Sequence, residues 1–196
     1  MSALREIFDT SKLFVSLPVL ETERLKLRKL SMRDSGDMFE YASVPEMTDH
    51  VSWEHHRSVA DSMHFLRIII QQYEFGNPTP WGIVYKENNK LIGTIGFHYW
   101  LKDHMRAEVG FALSKDYWNH GLMTEALTEV LRFGFDSMRL NRIEGRCELM
   151  NAASERVMNK CGMKLEGILR QQMFVKGVYK DLKFYSIIRD DRVDSC

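Results

Sequence analysis

Apolar and polar positions repeat with two different periods in the middle of the chain. Between Arg106 and Leu113 every second residue is apolar, which is the period of a strand. From Leu122 to Met138 the apolar positions recur every three or four residues, which is the period of a helix. Arg142–Met150 returns to a two-residue period with charged side chains at the alternate positions, and this predicts a half-buried strand. A strand, a long helix and a second strand are therefore expected in that order.

Further elements are expected on both sides of this unit. They are a strand over Glu23–Leu30, helices over Asp37–Ala42, Ser58–Phe75 and Ala152–Lys160, a hairpin of Trp81–Tyr85 and Leu91–Tyr99, and closing strands at Lys164–Val175 and Val178–Ile188. This order predicts a mixed α/β sheet with helices on both sides. At 196 residues the chain is expected to form a single domain, 1–196, with a short extension at residues 1–18.

The join between the central strand and the long helix has the residues of an anion site. Trp118–Thr124 contains Gly121 and leads into the helix, so several backbone N–H groups point away from the helix N-terminus. Such a terminus carries about half a positive charge and unpaired donors, which attract phosphate. The Gly-Lys-Ser/Thr ending of a Walker loop and the three spaced glycines of a dinucleotide fingerprint are both absent from the sequence. The join therefore predicts another kind of loop for a nucleotide-bearing cofactor.

Two segments of the chain resemble the cofactor-binding motifs of the GNAT superfamily of N-acetyltransferases. Trp118–Met123 is similar to the pyrophosphate loop of that family, Gln/Arg-x-x-Gly-x-Gly/Ala, with Gly121 as the shared glycine. The loop departs from the pattern at both ends, where a tryptophan and a methionine stand. Asn151–Met163, followed by Glu166-Gly167, resembles the second cofactor segment, N-x-x-S…K-x-G-[FM]…EG.

Two further segments resemble the RimJ/RimL branch of that superfamily. They are Leu20–Arg28, with the sequence LETERLKLR, and Thr124-Glu125-Ala126 after the loop glycine. Members of this branch acetylate protein N-termini, particularly those of ribosomal proteins. The resemblance extends from Leu20 to Ile188. It implies the GNAT fold, an α/β architecture whose mixed, mostly antiparallel sheet of about seven strands is splayed at the cofactor cleft.

The resemblance also implies acetyl-CoA as the cofactor and assigns residues to its binding. These residues are Phe111, Ala112, Leu113, Asn119, His120, Gly121, Leu122, Met123, Thr124, Asn151 and Ser154. In the family, the pantetheine arm fills the gap beside the splayed strand, and the loop binds the pyrophosphate. The tyrosine that many members place on the last helix is replaced here by Met158.

Two side chains are candidates for the proton transfers of amine acylation. Ser154 is the branch's hydroxyl donor to the leaving thiolate, although serine is also favoured in the first turn of any helix. Glu108 lies on the same strand face as the small residues beside the cleft and is the candidate base, with Glu148 as a weaker choice.

The alternative for Glu108 is a purely structural ion pair. Its expected partners are Arg106, Arg142 or Lys183.

Composition excludes several other classes of protein. Acidic and basic residues balance at 27 each, so nothing indicates a nucleic-acid or anionic-membrane surface. The three cysteines and seven histidines have no metal-ligand spacing, and no metal is expected. Lacking a signal peptide or a membrane span, the chain is expected to be cytoplasmic.

The predicted activity is transfer of an acetyl group from acetyl-CoA to a primary amine, in a ternary complex. The favoured acceptor is a protein or peptide N-terminus, such as that of a ribosomal protein. Two alternatives stay open at this point. One is acetylation of a polyamine or an aminoglycoside by the same fold, and the other is a non-catalytic acyl-CoA-binding module. A homodimer through exposed strands is a further expectation.

Overall fold

The computed structural model describes residues 13–191, which form eight strands and four α-helices around one sheet. In chain order the elements are β1 (Leu20–Glu21), β2 (Leu25–Arg28), α1 (Ser35–Ala42), α2 (Val59–Glu74), β3 (Pro80–Tyr85), β4 (Lys90–Leu101), β5 (Arg106–Leu113), α3 (Leu122–Asp136), β6 (Arg142–Glu148), α4 (Ala152–Lys160), β7 (Lys164–Val175) and β8 (Val178–Ile188). Within the described part of the chain, no helix is long and apolar enough to cross a membrane.

The sheet has the strand order β1-β2-β3-β4-β5-β6-β8-β7. Neighbouring strands are antiparallel, except that β5 and β6 run parallel because α3 connects them. The predicted fold class is confirmed, with eight strands where about seven were expected. The additional strand is the two-residue β1, which is too short to give a periodic signal.

Helices cover both faces of the sheet. On one face α3 packs against Trp81, whose ring meets Phe133 edge to face at 5.2 Å. Gly134 brings the same helix close to the sheet, since a Cβ there would lie 2.9 Å from Phe97. Thr94, three residues before Phe97 on β4, faces the other side of the sheet and hydrogen-bonds Tyr41 of α1. The sheet is therefore the middle layer of the fold.

The two parallel strands at the centre of the sheet, β5 and β6, pair over only half of the length of β5. β5 and β6 pair from Arg106 and Arg142 as far as Val109 and Gly145. Beyond that point β5 continues to Leu113 along β4, and β6 continues along β8. The two strands part after Val109, which opens a gap in the sheet and leaves one side of β5 without a partner strand.

Most predicted elements are confirmed, several at the same residues, including β5, α4, β7 and β8. The prediction for β6 needs a correction, since both of its faces are covered. Glu144 and Glu148 are each only 8% exposed, although the alternation placed them in solvent. They tolerate burial because both are ion-paired, Glu144 with Arg142 and Glu148 with Lys180. The extension predicted at residues 1–18 lies mostly outside the described residues, which begin at residue 13.

Candidate active site

A cleft of about 620 Å³ opens where β5 and β6 part. Three parts of the chain line it: residues 46–51 between α1 and α2, the end of β5 with the turn into α3, and the start of α4. The cleft therefore joins the N-termini of two helices to the gap in the sheet.

The structure brings ten of the eleven predicted cofactor residues to this cleft. They are Phe111, Ala112, Leu113, Asn119, Gly121, Leu122, Met123, Thr124, Asn151 and Ser154. His120 is not among the lining residues. Its backbone carbonyl accepts a hydrogen bond from Arg24 at 2.9 Å. The cofactor roles of all eleven residues stay predictions.

The turn into α3 is shaped by two residues with left-handed backbone angles. Asn119 has φ +63° and Gly121, the N-cap of α3, has φ +76°. Asparagine and glycine are the residues that adopt this conformation most easily. The turn starts the helix at Leu122, and the first N–H groups of a helix have no partner within it. These donors and the helix dipole favour an anion at the mouth of the cleft.

Asn151 and Ser154 meet at the start of α4. The Asn151 side chain caps this helix, and its Oδ1 accepts the Ser154 N–H at 3.0 Å. Within residues 13–191 no protein group hydrogen-bonds the Ser154 hydroxyl, which lies half-buried on the cleft wall. Met158 is 1% exposed and packs against Gly145 in the core. Ser154 of α4 therefore presents to the cleft a hydroxyl group that is unpartnered within the described chain.

Glu108 is ion-paired, but with a residue that the sequence did not suggest. Its Oε2 lies 2.6 Å from Nη2 of Arg146 on β6. Of the partners considered from sequence, Arg106 and Arg142 pair with Glu144, and Lys183 pairs with Glu155. The position of Arg146 depends on the register of β5 against β6, which no local pattern in the sequence reveals.

Two opposing effects act on the Glu108 carboxyl group. The side chain is 14% exposed, and burial raises its pKa while the Arg146 guanidinium opposes that rise. The net direction is upwards, towards the range of a useful base. Glu108 lies beyond the cleft wall, since lining by β5 begins at Phe111.

Residues 46–51 form a wall of the cleft that the sequence did not reveal. Two contacts hold this segment at its ends: Glu46 forms an ion pair with Lys115 at 2.9 Å, and Nδ1 of His50 forms a hydrogen bond with Glu148 at 2.9 Å. Lys180 pairs with the second oxygen of Glu148 at 2.7 Å. Burial opposes ionisation of Glu148, but the bonds from Lys180 and His50 outweigh it and lower the pKa of that carboxyl. With both oxygens occupied, Glu148 is a poor candidate for the base.

The two cysteines among the described residues, Cys147 and Cys161, are unsuited to nucleophilic catalysis. Burial raises the pKa of Cys147 to about 11, and it also raises the pKa of Cys161. A buried thiol that stays protonated at neutral pH is a poor nucleophile. Among the described residues, no group of three or more His, Cys, Asp or Glu side chains could hold a metal ion.

Comparisons with known proteins agree with this architecture. A family model described as "Acetyltransferase (GNAT) domain" matches residues 24–164. The uncharacterized N-acetyltransferase YoaA of Bacillus subtilis is 34% identical over 88% of this chain and 97% of its own length. The ribosomal-protein-serine acetyltransferase of Escherichia coli is 30% identical over 56% of this chain and 61% of its own length.

Solved structures give the same fold. A GNAT-family acetyltransferase from Bacillus anthracis has a TM-score of 0.79 and 27% identity, covering 88% of this chain and 99% of its own. RimL, a ribosomal L7/L12 alpha-N-protein acetyltransferase solved with coenzyme A, has a TM-score of 0.78 at 18% identity, covering 89% of this chain and 99% of its own. The family match spans more than half of the chain, and the chain therefore belongs to the GNAT acetyltransferase family.

Proposed function

We propose that this acetyltransferase moves the acetyl group of acetyl-CoA to the primary amine at the N-terminus of a protein or peptide. The observation that carries the proposal is the cleft itself, which runs from the N-terminus of α3 to the gap between β5 and β6. A nucleotide thioester has an anionic end and a long polar arm. The helix N-terminus suits the anionic end, and the gap between the strands suits the arm.

The residues of the cleft fit acetyl-CoA as the cofactor. The free N–H groups at the start of α3, which follows the left-handed turn at Gly121, suit a pyrophosphate. The unpaired side of β5 at Phe111–Leu113 offers backbone groups to the amides of a pantetheine arm. Acetyl-CoA supplies an activated acetyl thioester at the gap in the sheet.

Ser154 and Glu108 are proposed to serve the two proton transfers. The Ser154 hydroxyl, free of protein partners in the described chain, donates a hydrogen bond to the sulfur that leaves. Glu108 is proposed as the carboxylate that finally takes the proton of the acceptor, with its pKa raised by burial. Since the thiols of Cys147 and Cys161 stay protonated, the amine is proposed to attack directly, without a covalent acyl-enzyme.

The choice of a protein N-terminus as acceptor rests on relatives. The Escherichia coli relative is named a ribosomal-protein-serine acetyltransferase, and RimL is named an alpha-N-protein acetyltransferase. The charged segment 46–51 over the cleft suits an acceptor that enters as an extended chain end.

The test is thiol release from acetyl-CoA with a panel of N-terminal peptides, polyamines and aminoglycosides, and calorimetry of CoA binding in parallel. Release that depends on a peptide with a free α-amine is the expected result. Release with only a polyamine or an aminoglycoside would replace the proposed acceptor class. Tight CoA binding without release by any acceptor would favour a non-catalytic acyl-CoA-binding module.

A further inference from the structure

One side chain beside the gap in the sheet stands outside the regular pairing of the strands. In the β4–β5 ladder Phe97 pairs with Val109 and Tyr99 pairs with Glu108, which leaves His98 as the extra residue of a β-bulge. A bulge redirects the side chain that it carries, and bulges occur often beside active sites. The bulge lies opposite the point where β5 and β6 part, at Val109.

The His98 ring lies directly on Gly110. A Cβ built at Gly110 would be 2.0 Å from Nε2 of His98, so residue 110 must be glycine for the ring to occupy this place. Gly110 is the first residue of β5 beyond the paired region, and Phe111 next to it lines the cleft. The imidazole therefore sits between the cleft and Glu108, on the strand face that carries Glu108.

The His98 ring is free of hydrogen-bond partners in the described chain and can take up a proton. Within residues 13–191 neither ring nitrogen has a hydrogen-bond partner, and the residue is exposed to solvent. The surrounding protein partly desolvates the ring, and the charge of Arg146 adds to this effect, so the pKa of His98 falls below its usual value. The ring is consequently neutral at pH 7 and can accept a proton.

The charged groups around His98 come from the neighbouring strands. Glu108 of β5 and Glu144 and Arg146 of β6 lie on the same face of the sheet. The Arg146 guanidinium also lies 5.9 Å from the centre of the Tyr99 ring. His50, from the segment between α1 and α2, is tied to Glu148 further along β6. Among these groups, His98 is distinctive in combining a free ring with a position next to the cleft lining.

We propose that His98 is a catalytic residue, the first acceptor of the proton that the acceptor ammonium must lose. This inference rests on the proposed acetyl transfer. The nitrogen of the ammonium gives one proton to the imidazole, and its freed lone pair forms the C–N bond as the C–S bond breaks. In total the nitrogen loses two protons. The leaving sulfur takes up one of them, and the other, first held by His98, passes to Glu108 or directly to solvent.

Chemical rescue separates a proton acceptor from a structural residue. For His98→Ala we expect kcat to fall about 100-fold, with the KM for acetyl-CoA unchanged, and added imidazole to restore part of the rate. Imidazole should not restore Glu108→Gln, which keeps its own His98. Wild-type kcat and an unchanged pH profile in His98→Ala, in an enzyme that does transfer acetyl groups, would overturn the inference and leave the proposed function intact. A wild-type protein that binds CoA but acetylates no acceptor would overturn both.

A second variant tests the position of the ring without removing it. Gly110→Ala should displace the imidazole and lower kcat, and the matched variant Gly167→Ala should not, since a Cβ at Gly167 meets nothing within 4 Å. The NMR signal of the His98 ring, assigned by its loss in His98→Gln, should titrate with a pKa below 6.5 and move in Gly110→Ala. A displaced ring together with wild-type kcat in Gly110→Ala would count against the inference.

Discussion

Arg24 and Glu125, which lie 101 residues apart in the sequence, form an ion pair that holds the N-terminus of α3 against β2. Nε of Arg24 donates to Oε2 of Glu125 at 2.7 Å, and the Arg24 backbone N–H donates to Oε1 at 2.9 Å. Thr22 adds a hydrogen bond to the same carboxylate, and Arg24 Nη1 donates to the carbonyl of His120. The two segments that resemble the RimJ/RimL branch, Leu20–Arg28 and Thr124-Glu125-Ala126, therefore contact each other through this ion pair. This contact fixes the turn that we propose binds pyrophosphate.

Glu125→Gln should therefore destabilise the protein and misplace the cofactor turn. We expect a loss of about 1–2 kcal/mol at pH 7, because several hydrogen bonds converge on a carboxylate that is only 18% exposed. Burial opposes ionisation of Glu125, but the bonds from Thr22 and Arg24 outweigh it and lower the pKa of this carboxyl. The contribution is present above the usual carboxyl pKa of 4.5 and is lost as the pH falls through the lowered value in the folded protein.

Urea unfolding of the wild type and of Glu125→Gln, at pH 7 and again below pH 4, measures this effect. The difference between the two proteins should shrink at the lower pH. Glu129→Gln on the same helix is the control, because its ion-pair partner Arg132 is a largely exposed side chain three residues away, and such a pair contributes only a few tenths of a kcal/mol. Equal destabilisation by both substitutions would contradict the assignment.

Most of the fold could be predicted from the sequence, because the hydrophobic period of each segment agrees with the element that it forms. The two-residue period over Arg106–Leu113 and the helical period from Leu122 are both found in the structure, the strand at those same residues. The glycine at 162 ends α4 with φ +79°, as its place after the last apolar residue predicts. The cofactor side of the candidate site lies on these same local elements, which explains why so many of its predicted residues line one cleft.

The acceptor side could not be predicted because it depends on contacts between strands that are distant in sequence. Arg146 meets Glu108 only because β5 and β6 pair in one particular register. His98 reaches Gly110 because of a bulge, which no periodicity indicates. The wall at residues 46–51 is held by an ion pair to Lys115 and a hydrogen bond to Glu148, which the local sequence of that segment does not indicate.

Gly121→Glu should abolish CoA binding. The new carboxylate would stand at the start of α3, where it would repel phosphate and occupy the donors, so we expect the Kd for CoA by calorimetry to rise by roughly 100-fold or more. Gly121→Asn is the control, because asparagine tolerates the φ of +76° and brings no charge. Unchanged CoA affinity in a folded Gly121→Glu protein would exclude the α3 turn as the phosphate site.

Glu108→Gln and Arg146→Gln should change the pH dependence of the reaction in different ways. If Glu108 acts as a base, it must be ionised, so kcat/KM falls as the pH drops below its raised pKa. This fall is the acidic limb of the pH profile. Glu108→Gln should lower the rate and remove the part of this acid-side fall that Glu108 contributes. Arg146→Gln takes away the charge that restrains the rise in pKa, so the limb should move to higher pH. Profiles of kcat/KM against pH for the three proteins measure both effects, and superimposable curves would exclude Glu108 as the base.

Ser154→Ala should slow the chemical step without weakening cofactor binding. The cap of α4 uses the backbone N–H of Ser154 and the side chain of Asn151, so the helix start survives the loss of the hydroxyl. We expect kcat to fall roughly 10- to 100-fold, with little change in the Kd for CoA. Ser154→Thr keeps a hydroxyl at the same place and should recover much of the rate.

The leaving group separates catalysis by Ser154 from simple packing. If the hydroxyl stabilises the thiolate, Ser154→Ala should lose less rate with an acetyl donor whose thiol has a lower pKa, because that sulfur needs less help to leave. A packing defect would slow both donors equally and would also raise the Kd for CoA. Met158 cannot substitute for the serine, since it is buried in the core and carries no hydroxyl. An equal loss with both donors would therefore reassign Ser154 to a structural role and leave the thiolate to be stabilised by the backbone of the cleft.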